Sequence, residues 1–126
     1  WVDLTLVGET LHSKGDVDPM LTWRWIIAKT PDYLGTTDAA HPLISPLFAD
    51  LRGLPETLVQ VGSEEILLSD SVRLAERAAL ADWQLTLTVW QGMWHDFQLL
   101  GSMVPEADVA IAAIADFVRA PAQASA

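Results

Sequence analysis

Apolar and polar residues follow two different periods along the chain, one typical of strands and one typical of helices. Residues 57–62 and 85–90 are short apolar runs, and in the second a leucine or valine occupies every other position. A period of two predicts strands. Between them, residues 71–82 have apolar side chains on one helical face, which predicts a helix that Ser69 or Asp70 caps.

Five further segments complete the predicted architecture. They are a strand over residues 1–7, a loop over 9–19, a helix over 21–29, an irregular connector over 41–48 and a last helix over 105–118. Thr22 is a suitable cap for the helix over 21–29, and Pro31 is expected to stop it. Strands that alternate with helices predict parallel strands joined by crossovers, and therefore an α/β fold.

A histidine and a carboxylate follow the two predicted strands. His95 lies in a short loop after Gly92, and Glu65 comes shortly after the strand that ends at Gly62. In open α/β sheets, ligand-binding and catalytic groups gather at the carboxyl ends of the strands, so this pair is expected to converge. It would then form the orienting half of a Ser-His-acid triad. The alternative is a surface histidine and a solvated turn glutamate.

The sequence contains no match to the nucleophile elbow of such enzymes. None of its serines has glycines two positions away on both sides, as G-x-S-x-G requires, and no H-G-G-G run is present for an oxyanion hole. Because the triad order in this fold is serine, acid, histidine, the other parts are expected before Trp1. The chain also starts without methionine, inside a predicted strand. These features favour a fragment of an enzyme or a truncated reading frame.

Composition narrows the classes of partner. The chain has 126 residues, enough for one domain, and 17 acidic against 7 basic side chains give a net charge of −10, which argues against nucleic-acid binding. No cysteine is present, and the three histidines have no H-x-x-x-H spacing, so neither a disulfide nor a metal site is expected. No apolar run reaches the roughly 18 to 20 residues of a membrane span, and no signal peptide is visible. We therefore expect a cytoplasmic location.

Four segments of the sequence are similar to a known family. They are W-V-D-L-T at residues 1–5, S-P-L-F-A-D-L-R-G-L-P at 45–55, V-G-S-E-E at 61–65 and G-M-W-H-D-F at 92–97. Together they resemble the C-terminal portion of α/β-hydrolases of the hormone-sensitive-lipase-like group, which includes bacterial carboxylesterases and lipases. The resemblance implies a partial α/β-hydrolase domain over residues 1–126, with the C-terminal part of its parallel sheet, flanking helices and part of a helical cap. Residues 16–35 match the cap segment by position, and residues 120–126 are predicted to be a frayed tail.

The resemblance also implies roles for individual residues. His95 matches the triad histidine, and Glu65 occupies the position of the triad acid, where the family often has aspartate in a D-P-L context. Glutamate also serves as the acid in hydrolases of this fold. Glu64 is the neighbouring acid, and Asp70 is the alternative acid, although Asp70 is also expected to cap the following helix.

Aromatic residues of the cap segment are candidates for the acyl pocket. Trp23 and Tyr33, together with Trp25 and Ile26, could line that pocket. Aromatic residues at helical spacing are also typical of plain packing, so both interpretations stay open.

For the intact enzyme, the resemblance implies hydrolysis of carboxylic esters with short or medium acyl groups, without a cofactor or metal. A serine would attack the ester, His95 would take and return the proton, and Glu65 would orient the imidazole.

The chain alone is predicted to be inactive. Its expected partners are a small-molecule ester in the intact enzyme and either an N-terminal half or a second copy, because residues 1–6 would present an unpaired edge. The alternative is a non-enzymatic α/β module.

Overall fold

The computed structural model describes residues 1–120, which contain four α-helices and two strands. These are α1 (Glu9–Ser13), α2 (Trp23–Leu34), β1 (Thr57–Gly62), α3 (Leu68–Leu80), β2 (Leu85–Trp90) and α4 (Pro105–Arg119). Short 3-10 segments lie at Pro46–Phe48 and Phe97–Met103, the second with a kink at Gly101. Apart from Ala120, the predicted frayed tail over residues 120–126 lies outside the described residues.

The two strands lie side by side in parallel, and α3 joins them. Their register runs from Thr57 opposite Leu85 to Gly62 opposite Trp90. Because the strands are in register, the loops that follow them leave the sheet at the same edge. The predicted parallel α/β arrangement is therefore confirmed.

Three groups of buried apolar side chains stabilise the packing of these elements. The first joins α1, α2 and the segment before α3, the second joins the connector before β1 to α3, and the third packs the turn after β2 against α4. They comprise Leu11, Leu21, Ile26, Ile66 and Leu67; Leu47, Leu51 and Leu74; and Phe97, Ala107 and Ala110. Full burial of one leucine-sized side chain contributes about 1.5 to 3 kcal/mol, so these groups supply the main driving force for folding.

The last helix is buried along one narrow face only. Pro105 occupies its first turn, as predicted, and Ala107 and Ala110 are buried, whereas Val109 and Val118 are exposed. No single helix among the described residues is long and apolar enough to cross a membrane, although Phe97–Met103 and Pro105–Arg119 together reach that length and composition across a 113° bend.

The predicted N-terminal strand over residues 1–7 is wrong. Its backbone donors bind a side chain instead of a neighbouring strand, because the amides of Val2 and Asp3 donate to Asp70 Oδ2 at 3.0 and 3.1 Å. Leu6 has a φ of 61°, outside the range of extended backbone. The alternating pattern is present, but among residues 1–120 the sheet contains β1 and β2 alone.

The boundaries of α2 agree with the sequence at one end only. Thr22 caps the helix as predicted, since its side chain accepts the Trp25 amide at 3.3 Å. Pro31 does not stop the helix, which continues to Leu34. A proline near a helix end removes a single backbone hydrogen bond, and the Gly35 amide still donates to Pro31 O at 3.0 Å. The helix ends instead at Leu34 and is followed by Gly35, whose φ of 54° favours glycine.

The predicted cap of α3 is also wrong. The helix begins at Leu68, and neither Ser69 nor Asp70 caps it. Asp70 bonds to the N-terminal amides described above, and Ser69 Oγ lies 2.8 Å from Thr10 Oγ1. Thr10 belongs to α1, a short helix inside the predicted loop over residues 9–19. The side chains of Ser69 and Asp70 thus bind residues of distant segments instead of capping α3. Local sequence rules do not describe such long-range contacts.

Candidate active site

The loops that follow β1 and β2 are joined by hydrogen bonds. The Ser63 amide donates to Trp90 O and the Glu64 amide donates to Met93 O, both at 2.8 Å. The Gly92 amide donates to Ser63 Oγ at 2.8 Å, and Gly92 has a φ of 75°, which favours glycine. These bonds keep the two loops side by side at the carboxyl edge of the sheet.

Glu65 and His95 meet between these loops. Glu65 Oε1 lies 2.8 Å from His95 Nδ1, which is the contact expected from the sequence. Glu65 Oε2 accepts the Gly62 amide at 3.0 Å, and Glu65 is only 7% exposed. Since a carboxylate only accepts hydrogen bonds, Nδ1 carries the proton of a neutral imidazole and Nε2 is left as an acceptor. This is the tautomer that a general base in a triad requires.

A cavity of about 260 Å³ opens beside this pair, and both Glu65 and His95 line it. Its other walls include Val59 and Gln98. Asp96 Oδ2 lies 3.5 Å from His95 Nε2, too far for a strong hydrogen bond, and the Asp96 side chain is 57% exposed. The Nε2 atom therefore remains available to an incoming group.

A hydrogen bond and nearby negative charges raise the pKa of His95. The hydrogen bond with Glu65 raises the pKa of His95 above its ordinary value of 6.5, and partial burial opposes this rise. The negative charges of Glu65, Asp96 and Asp18 raise the pKa further. A raised pKa makes the imidazole a stronger base, which suits a group that must take a proton and then carry a positive charge.

The other candidate acids lie elsewhere. Asp70 is 1% exposed and accepts two N-terminal backbone amides. Burial raises the pKa of Asp70, and these two hydrogen bonds oppose the rise. Glu64 pairs with Lys14 Nζ at 3.2 Å. Of the three carboxyl groups considered from the sequence, the structure brings Glu65 to His95.

None of the residues predicted for the acyl pocket, Trp23, Tyr33, Trp25 and Ile26, lines this cavity. The ring centroid of Trp23 lies 4.8 Å from that of His12, and Trp23 packs against the first apolar group. Tyr33 is 64% exposed and lines a different groove of about 420 Å³. Substrate contact by Trp23 and Tyr33, and the assignment of residues 16–35 to a cap, stay predictions.

Two residues at the site are missed by the sequence analysis. The sequence indicates Gly62 only as the end of a strand, yet a Cβ atom there would lie 2.1 Å from Met93 O. Asp18 falls in a predicted loop, yet its side chain contacts the His95 loop. Both contacts join segments that are distant in sequence, so no local pattern reveals them. In the part of the chain that the structure describes, no group of three His, Asp or Glu side chains could hold a metal ion.

The chain is similar to several known proteins. A family model described as alpha/beta hydrolase fold matches residues 1–99. The chain is 45% identical over 119 residues to an esterase of Acinetobacter venetianus, with 93% of this chain and 39% of the relative covered. It is 34% identical over 119 residues to an acetyl-hydrolase of Streptomyces hygroscopicus, with 94% and 40% covered.

A solved structure has the same arrangement of elements. The crystal structure of a hormone-sensitive lipase from a metagenome library matches with a TM-score of 0.90 and 43% identity, over 94% of this chain and 40% of that one. The chain thus spans about 40% of the length of these three relatives. The resemblance drawn from the sequence is confirmed. This chain therefore belongs to the alpha/beta hydrolase fold family, in its hormone-sensitive-lipase-like group.

Proposed function

We propose that this chain supplies the histidine and the acid of a serine carboxylesterase or lipase site, with Glu65 orienting His95. The observation that carries the proposal is the 2.8 Å contact between Glu65 Oε1 and His95 Nδ1 at the carboxyl ends of two parallel strands. The names of two relatives, an esterase and an acetyl-hydrolase, support hydrolysis of small-molecule carboxylic esters.

The nucleophilic serine and the oxyanion donors belong, in this proposal, to the part of the relatives that the chain does not span. The serine oxygen attacks the ester carbonyl while its proton moves to His95 Nε2, and the imidazolium then protonates the leaving alcohol. Water attacks the acyl-enzyme in the same way and releases the acid. Throughout, Glu65 keeps the other proton on Nδ1 and stabilises the imidazolium. No cofactor or metal takes part in these steps.

A hybrid esterase tests this proposal. In it, the chain replaces the segment that it matches in the Acinetobacter venetianus esterase. We expect the hybrid to hydrolyse an activated short-chain ester such as p-nitrophenyl acetate, and His95→Ala to lower kcat about 10⁴-fold or more, because triad members act as a unit. His41→Ala is the matched control, since His41 is exposed and does not line the cavity beside Glu65.

The chain by itself provides the second half of this test. Without a serine elbow and oxyanion donors, we expect no ester hydrolysis above background. Turnover by the purified chain that disappears in His95→Ala would show that the chain carries a nucleophile of its own. A folded hybrid that keeps its activity in His95→Ala would contradict the proposed role of the histidine.

Most residues of β1 and β2 are only partly buried, and this exposure is relevant to the partners of the chain. Only Val61 and Gly62 of the strand residues are buried, whereas strands of parallel sheets are usually buried on both faces. The unpaired edges belong to β1 and β2 rather than to residues 1–6, which corrects the premise drawn from the sequence. We propose that the complementary part of the enzyme covers these strands, and that the chain self-associates without it.

Light scattering on the purified chain measures this association. We expect a concentration-dependent mass above that of the 13.8 kDa monomer, and loss of this concentration dependence when the complementary segment is added. A monomer that unfolds cooperatively at every concentration would contradict the prediction and favour the alternative of a non-enzymatic α/β module. The cytoplasmic location stays a prediction from the sequence.

A further inference from the structure

Asp18 is a buried carboxylate that accepts four backbone amides. It is 3% exposed, and its Oδ1 accepts the amides of Met20 and Leu21 at 2.9 and 3.1 Å. Its Oδ2 accepts the Ile66 amide at 3.1 Å and the His95 amide at 3.4 Å. One side chain therefore contacts three segments that are far apart in the sequence.

The two amides on Oδ2 belong to the candidate active site. Ile66 directly follows Glu65, and the other amide is that of His95 itself. A single oxygen atom thus lies between the backbone of the acid and the backbone of the base. From this geometry we propose that Asp18 is a positioning residue, which sets the spacing between Glu65 and His95 and so the orientation of the imidazole. The inference rests on the proposed function, because it assigns the pair a role that needs this orientation.

The chemistry of a carboxylate suits this position. An ionised carboxylate only accepts hydrogen bonds and offers about four lone-pair sites, which match the four N–H donors around Asp18. Oδ1 alone satisfies the turn formed with Met20 and Leu21. A purely local role in that turn would leave the contacts of Oδ2 unexplained. Asparagine at this position would keep one oxygen for one pair of N–H donors. Its NH₂ group would face the other pair and could not accept their hydrogen bonds.

Asp18 also acts on the charge of the histidine. Its negative charge is one of the causes that raise the pKa of His95, after the larger effects of Glu65 and Asp96. Asp18 lies within residues 16–35, the predicted cap segment. Through its two oxygens it connects that segment to the loops of the acid and the base, so a displacement of the segment would disturb both.

Asp18→Asn in the full 126-residue chain tests the inference, with Asp16→Asn as the matched control. Asp16 is exposed and two residues away, so its substitution removes the same charge without touching either loop. By NMR, we expect Asp18→Asn to lower the pKa of His95 and to weaken or abolish the resonance of the Nδ1 proton shared with Glu65, with an unchanged circular dichroism spectrum. Asp16→Asn should leave both signals as they are. Identical His95 signals in the two variants would overturn the inference.

Amide hydrogen exchange adds a measurement that needs no substitution. If Asp18 accepts both amides, the N–H groups of Ile66 and His95 should exchange about tenfold or more slowly than their unprotected rates. Unprotected exchange would overturn the inference even if Asp18→Asn fails to fold. Neither readout involves ester hydrolysis. An inactive hybrid in which His95 still responds to Asp18→Asn would therefore contradict the proposed function and leave the positioning role standing.

Discussion

Glu65→Gln in the hybrid esterase is expected to lower kcat about 10³- to 10⁴-fold. The Gly62 amide donates to Glu65 Oε2, so the oxygen of a glutamine would take that bond and its NH₂ group would face His95 Nδ1. An NH₂ group donates, which forces Nδ1 to accept and moves the imidazole proton to Nε2. The ring then has the wrong tautomer to take the serine proton, and no carboxylate stabilises the imidazolium.

The same substitution is expected to change the pH dependence of hydrolysis. The Glu65 hydrogen bond is the largest cause that raises the pKa of His95 above 6.5, so Glu65→Gln lowers that pKa. A general base works only in its neutral form, and activity therefore rises as the pH increases through the pKa of the histidine. The acidic limb of kcat/KM against pH should shift to lower pH in the variant.

Glu64→Gln is the matched control for both measurements. It removes the same charge one residue away, and its partner Lys14 lies outside the cavity beside His95. We expect nearly unchanged kcat and an unchanged acidic limb. Equal losses of kcat in Glu65→Gln and Glu64→Gln would show that hydrolysis depends on negative charge near the loop and not on the contact between Glu65 and His95. If Asp70→Asn instead abolished activity while Glu65→Gln kept it, Asp70 would be the acid.

Gly62→Ala is expected to lower the free energy of unfolding by about 3 kcal/mol and to abolish hydrolysis by the hybrid. A Cβ atom at Gly62 would lie 2.1 Å from Met93 O and 2.7 Å from Trp94 N. Both are backbone atoms, which cannot rotate away as a side chain can, so the loop itself must move. That movement breaks the 2.8 Å hydrogen bond from the Glu64 amide to Met93 O and displaces His95 from the acid.

Gly53→Ala is the control for the cost of losing a glycine. Gly53 has a φ of 75°, but no heavy atom lies within 4 Å of a Cβ atom added there, so alanine meets backbone strain without a clash. We expect a loss of about 1 kcal/mol and unchanged kcat. Urea unfolding followed by tryptophan fluorescence measures the stabilities, and ester hydrolysis by the hybrid measures the activity. A Gly62→Ala variant as stable and active as Gly53→Ala would show that the histidine loop is not packed against Gly62.

The sequence predictions succeeded where a local pattern and its tertiary partner agree. The alternation over residues 85–90 becomes β2, and the apolar run over 57–62 becomes β1, because each strand has the other beside it. Pro105 begins α4 and Thr22 caps α2, since proline at a first turn and a threonine cap act within a few residues.

The sequence predictions failed where a long-range contact competes with the local preference for a strand or a helix cap. Residues 1–7 alternate as a strand does, but a strand needs a neighbour, and here Asp70 takes the amides of Val2 and Asp3. The same contact removes Asp70 from its expected role as the cap of α3. A single buried carboxylate thus accounts for two of the wrong predictions, because its hydrogen bonds cross 67 and 68 positions of the sequence.

By itself, the sequence determined the α/β class, the two parallel strands and the two residues that follow their carboxyl ends, Glu65 and His95. Strand periodicity and chain order are local properties, and they suffice to bring the ends of two adjacent parallel strands together. Only the tertiary structure decided how that pair is oriented. The close approach of Gly62 to Met93 and the Asp18 oxygen between the two loops join residues that packing, and not sequence spacing, brings into contact. A productive orientation requires atoms held to within about 0.5 Å, and such positions are fixed only when separate segments pack against one another.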